Sequence, residues 1–149
     1  MLLVKLDNLR ERKGAISMDN HGVVHFEIPA NDPDKLSQFY TQLFGWQITK
    51  MPMGGVDYYV TSTVESDDQG LPKEPGAING GIYPRQSPEQ GPVNYVNVES
   101  VDDYAAKAKG MGAKVVVEKT PVPAMGWFAL LTDPDGNPFG IWQTDMAAR

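Results

Sequence analysis

Val24, Phe26 and Ile28 fall on one side of an extended segment, and His25 and Glu27 on the other. This is the two-residue period of a strand with one buried face. The period then changes. Leu36, Phe39, Tyr40, Leu43 and Phe44 recur at helical spacing between Asp32-Pro33 and Gly45. Aspartate is a good N-cap, proline presets the first turn, and glycine ends the run, so a helix of about three turns is predicted. Strand patterns follow at Trp46–Thr49, Asp57–Ser62 and Ala77–Tyr83, separated by a Gly54-Gly55 turn and a polar Gly/Pro-rich loop.

The same order returns in the second half. A strand at Val93–Val98 leads to a helix opened by Ser100-Val101-Asp102-Asp103 and stopped at Gly112. Strands are then predicted at Lys114–Glu118, Trp127–Thr132 and Pro138–Gln143, with Asp133-Pro134-Asp135-Gly136 as the turn between the last two. Gly81-Ile82-Tyr83 reappears as Gly140-Ile141-Trp142, which marks the halves as two copies of one unit. The predicted fold class is α+β: modules 22–83 and 93–143, each β-α-β-β-β, joined by a linker at Pro84–Pro92 in one domain, 22–143. Each helix covers one sheet face, so pairing the modules forms a cleft suited to a small ligand. Residues 1–21 read as an N-terminal arm and 144–149 as a tail. Met18 stands just before the first strand, which leaves open whether Met1–Ser17 belongs to the native protein.

Composition narrows the partners. The net charge of −6, without a basic stripe, disfavours nucleic acid. The absence of cysteine excludes disulfides, thiolate metal sites and a cysteine nucleophile, and is compatible with a reducing compartment. No apolar run approaches the roughly 20 residues of a membrane helix, and the start has too short an apolar run for an export signal. A cytoplasmic protein without a membrane partner is expected. Neither a nucleophile elbow nor a phosphate loop nor a dinucleotide fingerprint is found.

Three pieces carry a family resemblance: the His25-to-Asp32 spacing, Phe39-Tyr40 with Leu43-Phe44-Gly45-Trp46, and the run Thr132 to Gln143 through Asp-Pro-Asp-Gly-Asn-Pro-Phe-Gly-Ile-Trp. Over Gly22–Gln143 the chain resembles the vicinal oxygen chelate superfamily of glyoxalases, extradiol dioxygenases and bleomycin-resistance proteins. Its closest likeness is to a lactoylglutathione-lyase-related subgroup with few assigned reactions. The resemblance implies paired modules, a homodimer and, in metal-dependent members, one ligand near the middle of each module's first strand and one near the end of its fourth. Those positions fall on His25, Asn94, Gly81 and Gly140. A divalent site needs about three imidazole or carboxylate ligands. Here His25 is the one strong ligand retained, so no metal or other cofactor is expected. His21, four strand residues and roughly 13 Å away, cannot share an ion with it.

Strand alternation places His25, Glu27, Asn94, Val96, Gly140 and Trp142 in the cleft, with Phe26, Tyr95, Phe139 and Ile141 toward the helices. Glycine at positions 81 and 140 leaves room for an organic ligand. His25, Asn94, Trp142, Gly81, Gly140, Tyr58 and Trp127 are the candidate ligand-binding residues, with Trp46, Tyr59, Met125 and Phe128 as further aromatic or soft surface. His25 and Glu27 are the candidates for any catalysis, His25 as hydrogen-bond donor or base. The expected function is metal-independent binding of a small aromatic or antibiotic-like molecule. A divalent-metal lyase, isomerase or dioxygenase with an atypical site is the alternative, and a structural or regulatory dimer a third.

Overall fold

The computed structural model describes residues 20–149. The first module runs β1 (Val23–Ala30), α1 (Pro33–Phe44), β2 (Gln47–Met53), β3 (Val56–Ser62) and β4 (Gly80–Pro84). The second runs β5 (Val93–Asn97), α2 (Val101–Gly110), β6 (Lys114–Val122), β7 (Gly126–Thr132) and β8 (Pro138–Thr144). The predicted order of elements is therefore the observed one. Residues 1–19, which hold most of the expected N-terminal arm and the open question of Met1–Ser17, lie outside the described residues.

The helices start and stop for the reasons their sequences give. Asp32 accepts from the Lys35 amide at 3.1 Å, Pro33 follows, and Gly45 closes α1 in the left-handed region at φ 71°. In α2, Ser100 caps the Asp103 amide at 3.2 Å, acidic residues occupy the first turn, and Lys107 and Lys109 the last.

All eight strands form one curled sheet in the order β2-β3-β4-β1-β5-β8-β7-β6. The order is a palindrome of the two modules. Each module places its first strand parallel to its fourth, β1 with β4 and β5 with β8, and the modules join through an antiparallel β1–β5 seam. Both helices pack on one side of the sheet and each covers its own core. Under α1 lie Ala30, Tyr59 and Ile82, with Leu36, Tyr40 and Ile48 against them. Under α2 lie Val98, Val101, Ala129, Leu131 and Ile141. Phe26, Tyr40, Phe44 and Trp46 form an aromatic cluster at the end of α1, with Tyr40 and Trp46 stacked at 5.0 Å. The opposite, concave face of the sheet is left to a different set of side chains.

Three strand boundaries differ from expectation by three residues or more. β4 starts at Gly80, not Ala77, because the Asn79 side chain is spent holding the preceding loop, through Thr63 N, Ser66 Oγ and the Gly70 carbonyl. β2 runs on to Met53 and β6 to Val122, since hairpin pairing with β3 and β7 carries them past the apolar alternation.

Candidate functional site

Register decides what lines the concave face. Along β1, Glu27 pairs with Gly81 of β4, and along β5, Tyr95 pairs with Gly140 of β8. If Gly81 and Gly140 are counterparts, Glu27 corresponds to Tyr95 and His25 to Val93. Across the seam His25 faces Tyr95, and Phe26 faces Asn94. Residues directly opposite in a ladder share a face. Tyr95 therefore belongs to the concave face, and Asn94 and Val96 to the side that carries the helices. This corrects the expected alternation of β5, which assumed that Asn94 repeats His25; one residue of register reverses every side chain.

The two glycines are likewise not empty space. A methyl carbon on Gly81 would lie 2.5 Å from Tyr58 Cε1, and one on Gly140 would lie 2.7 Å from Tyr95 Cγ. Tyr58 starts on β3, crosses β4 over Gly81, and reaches His25 Nε2 on β1 at 2.8 Å. Tyr95 is rooted over Gly140, and its hydroxyl donates to Glu27 Oε1. The same device recurs at Gly126, where a methyl carbon would lie 2.6 Å from Trp142 Cζ2. Glycine on this face lets an aromatic ring lie down on the sheet, and the expected room at positions 81 and 140 is filled by tyrosine.

The centre of the face is thus a polar cluster, His25–Tyr58 and Tyr95–Glu27, set in aromatic walls. Tyr95 meets His25 edge-on at 5.6 Å and Phe128 edge-on at 6.3 Å. Burial strips water from the His25 imidazolium and holds its pKa below the ordinary 6.5, more than the nearby Glu27 charge raises it. Burial first, and the Glu27 charge second, push the Tyr58, Tyr83 and Tyr95 phenols above their ordinary value of 10.0. At neutral pH the imidazole is uncharged and the phenols keep their protons. His25 can accept or donate one hydrogen bond; the phenols act as donors, not as anionic ligands.

Other candidates lie elsewhere. Trp127 is on the helix side of β7, packed against the α2 core, with its indole N–H on Asp145 at 3.0 Å. β7 alternates, and Phe128, opposite Trp142, takes the concave position. Tyr59 is likewise buried beneath α1, with its hydroxyl reaching Asp34 at 2.7 Å. Trp46 belongs to the α1 aromatic cluster, and Met125 is exposed at a hairpin tip. His21 bonds the Asn97 carbonyl and the Tyr104 hydroxyl, each at 2.9 Å, away from His25. The residue that sequence reasoning missed in the site is Tyr95. Its signal was the Gly140 partner: a glycine in mid-strand marks close approach by a neighbour.

These donors do not fit a three-ligand divalent site. Val93, Gly81 and Gly140 offer no donor atom, Asn94 is on the other face, and no group of three or more His, Cys, Asp or Glu side chains is gathered among the described residues.

Residues 22–141 match the Glyoxalase/Bleomycin resistance protein/Dioxygenase superfamily. The chain belongs to that superfamily. It is 28% identical over 124 residues to a Mycobacterium tuberculosis protein named "Putative glyoxylase CFP32", covering 80% of this chain and 44% of the relative. The chain thus spans less than half the length of that protein. Among solved structures, methylmalonyl-CoA epimerase from Mycobacterium tuberculosis is similar with a TM-score of 0.62 at 14% identity, over 91% of this chain and 95% of the other. Hypothetical protein BH1468 from Bacillus halodurans C-125 is similar with a TM-score of 0.61 at 14% identity, over 87% and 98%. At that identity the likeness is one of fold, and a shared fold leaves the chemistry to the site.

Proposed function

We propose that this protein binds a small organic molecule on the concave face of its sheet, without a metal ion. The observation that carries this reading is that tyrosine rings occupy Gly81 and Gly140, where the family resemblance placed metal ligands. The floor so formed carries aromatic surface from Tyr58, Tyr95, Phe128 and Trp142, and polar handles at His25 and Glu27. Such a lining, mostly apolar with a few convergent polar groups, is the usual make-up of a small-molecule site. An aromatic or antibiotic-like ligand suits it, with stacking as the main contact and His25 fixing orientation.

A thermal-shift screen of aromatic and antibiotic-like compounds tests this reading. It predicts stabilising ligands whose effect persists in EDTA and is weakened by Trp142→Ala. Stabilisation by divalent ions alone, abolished by His25→Ala, would favour the lyase, isomerase or dioxygenase alternative. We further propose a cytoplasmic homodimer; light scattering at about twice the chain mass would support the dimer and the chain mass would refute it.

A further inference from the structure

Glu27 stands at the middle of the concave face, and it enters none of the four ion pairs found among the described residues, Lys35–Asp32, Lys50–Asp57, Lys73–Glu65 and Lys119–Asp102. Its Oε1 accepts from the Tyr95 hydroxyl, Tyr58 lies over Gly81, the residue paired with Glu27 on β4, and its charge acts on His25, Tyr58, Tyr83 and Tyr95. None of these supplies a countercharge. The imidazole is held neutral by burial, and the phenols can donate hydrogen bonds to the carboxylate without neutralising it. Arg85, whose charge acts on Tyr83, forms no ion pair with Glu27; its guanidinium bonds the Asn31 side chain at 2.9 Å, the Pro29 carbonyl at 3.3 Å and the Gln90 carbonyl.

A half-buried carboxylate ringed by aromatic side chains has the chemistry of a cation receptor. The carboxylate supplies the charge, and ring faces add a quadrupole attraction worth more as water is excluded. We infer that the ligand of this face is an organic cation: a protonated or quaternary amine seated against Glu27 between Tyr58 and Tyr95, with an apolar or aromatic body along Phe128 and Trp142. This inference rests on the proposed binding function and adds the charge class of its ligand.

Three probes of like shape and different charge test it: 2-phenylethylammonium, 2-phenylethanol and phenylacetate. Each is titrated into the full chain at pH 7 and followed by NMR shifts of the Tyr58, Tyr95 and Trp142 rings. The ammonium should bind at least about tenfold more tightly than the alcohol, phenylacetate should bind most weakly, and the preference should shrink as salt is raised. Glu27→Gln, checked for folding by its melting curve, should bring ammonium and alcohol to within about twofold, with most of the change in the ammonium. Equal binding of ammonium and alcohol by the unmodified protein, or a preference for phenylacetate, would overturn the cation inference and leave the proposed binding function intact. Failure of all three probes to perturb these rings would count against the proposed binding function as well.

Discussion

Replacing Gly140 with alanine should destabilise the protein more than the same change at Gly81, although both glycines lie on the floor of one site. At Gly140 the new methyl carbon meets the root of the Tyr95 ring, with Cγ at 2.7 Å, and Tyr95 is only 6% exposed. The ring cannot swing away without leaving Glu27 and Phe128, so the sheet must shift. Overpacking of this kind costs about 1–3 kcal/mol, offset by the roughly 0.5–1 kcal/mol that alanine recovers by restricting the unfolded chain. The net expectation is a loss of about 1–2 kcal/mol, or about 2–8 °C in Tm for a chain of this size. At Gly81 the methyl meets the far end of Tyr58, a more mobile part of the side chain. Tyr58 can turn outward, giving up its bond to His25 at about 1 kcal/mol, nearly offset by the same backbone gain. Thermal melts and urea titrations of the two variants, with NMR of the His25 ring, separate the cases. Gly140→Ala should be clearly destabilised with His25 little changed, and Gly81→Ala nearly as stable as the parent with His25 shifted. Wild-type stability of Gly140→Ala would refute the claim that these glycines exist to receive tyrosine rings.

His25 has a folded-state pKa below its ordinary 6.5, so the unfolded chain takes up the proton first as pH falls. Its contribution to stability is complete above about pH 6.5 and is lost as pH drops toward the folded value; His25→Gln should flatten urea-measured stability between about pH 7.5 and about pH 5. Ala124 adopts φ 61°, a region costly for any residue with a Cβ, so Ala124→Gly should gain about 0.5 kcal/mol once the looser unfolded chain is counted, read as a raised urea midpoint. Asp32→Ala removes the α1 cap and should cost about 1 kcal/mol, with faster hydrogen exchange at the Lys35 amide. Leu131 is fully buried in the α2 core, and Leu131→Ala should lose about 3 kcal/mol by the same melts.

The fold was legible because its signals are local. Periodicity, the Asp32-Pro33 and Ser100 caps, the Asp133 turn and the Gly-Ile-aromatic repeat each act within a few residues, and together they give the β-α-β-β-β order twice. The site was less legible because it depends on register across the seam. His25, Glu27, Tyr58 and Trp142 are on the concave face as expected, since their own strands alternate regularly. Asn94 and Tyr95 face opposite to expectation, because the expected repeat sets Asn94 in the place of His25, whereas the seam pairs His25 with Tyr95 and Phe26 with Asn94. Trp127 and Phe128 pose the same problem on β7, where both neighbours are aromatic and composition does not say which faces inward. The glycines stand out at expected ligand positions, but what fills the space beside them comes from the neighbouring strands, β3 beside Gly81 and β5 beside Gly140.

The central claim is that the tyrosine-floored face takes its ligand without a metal ion. Calorimetric titration of a compound that stabilises the protein, performed on chelator-stripped protein and again after saturation with Zn, Ni, Mn and Fe in turn, tests it most directly. The same Kd and the same one-to-one stoichiometry in every case are predicted. Binding that appears only in the metal-loaded protein and disappears in His25→Ala would contradict it.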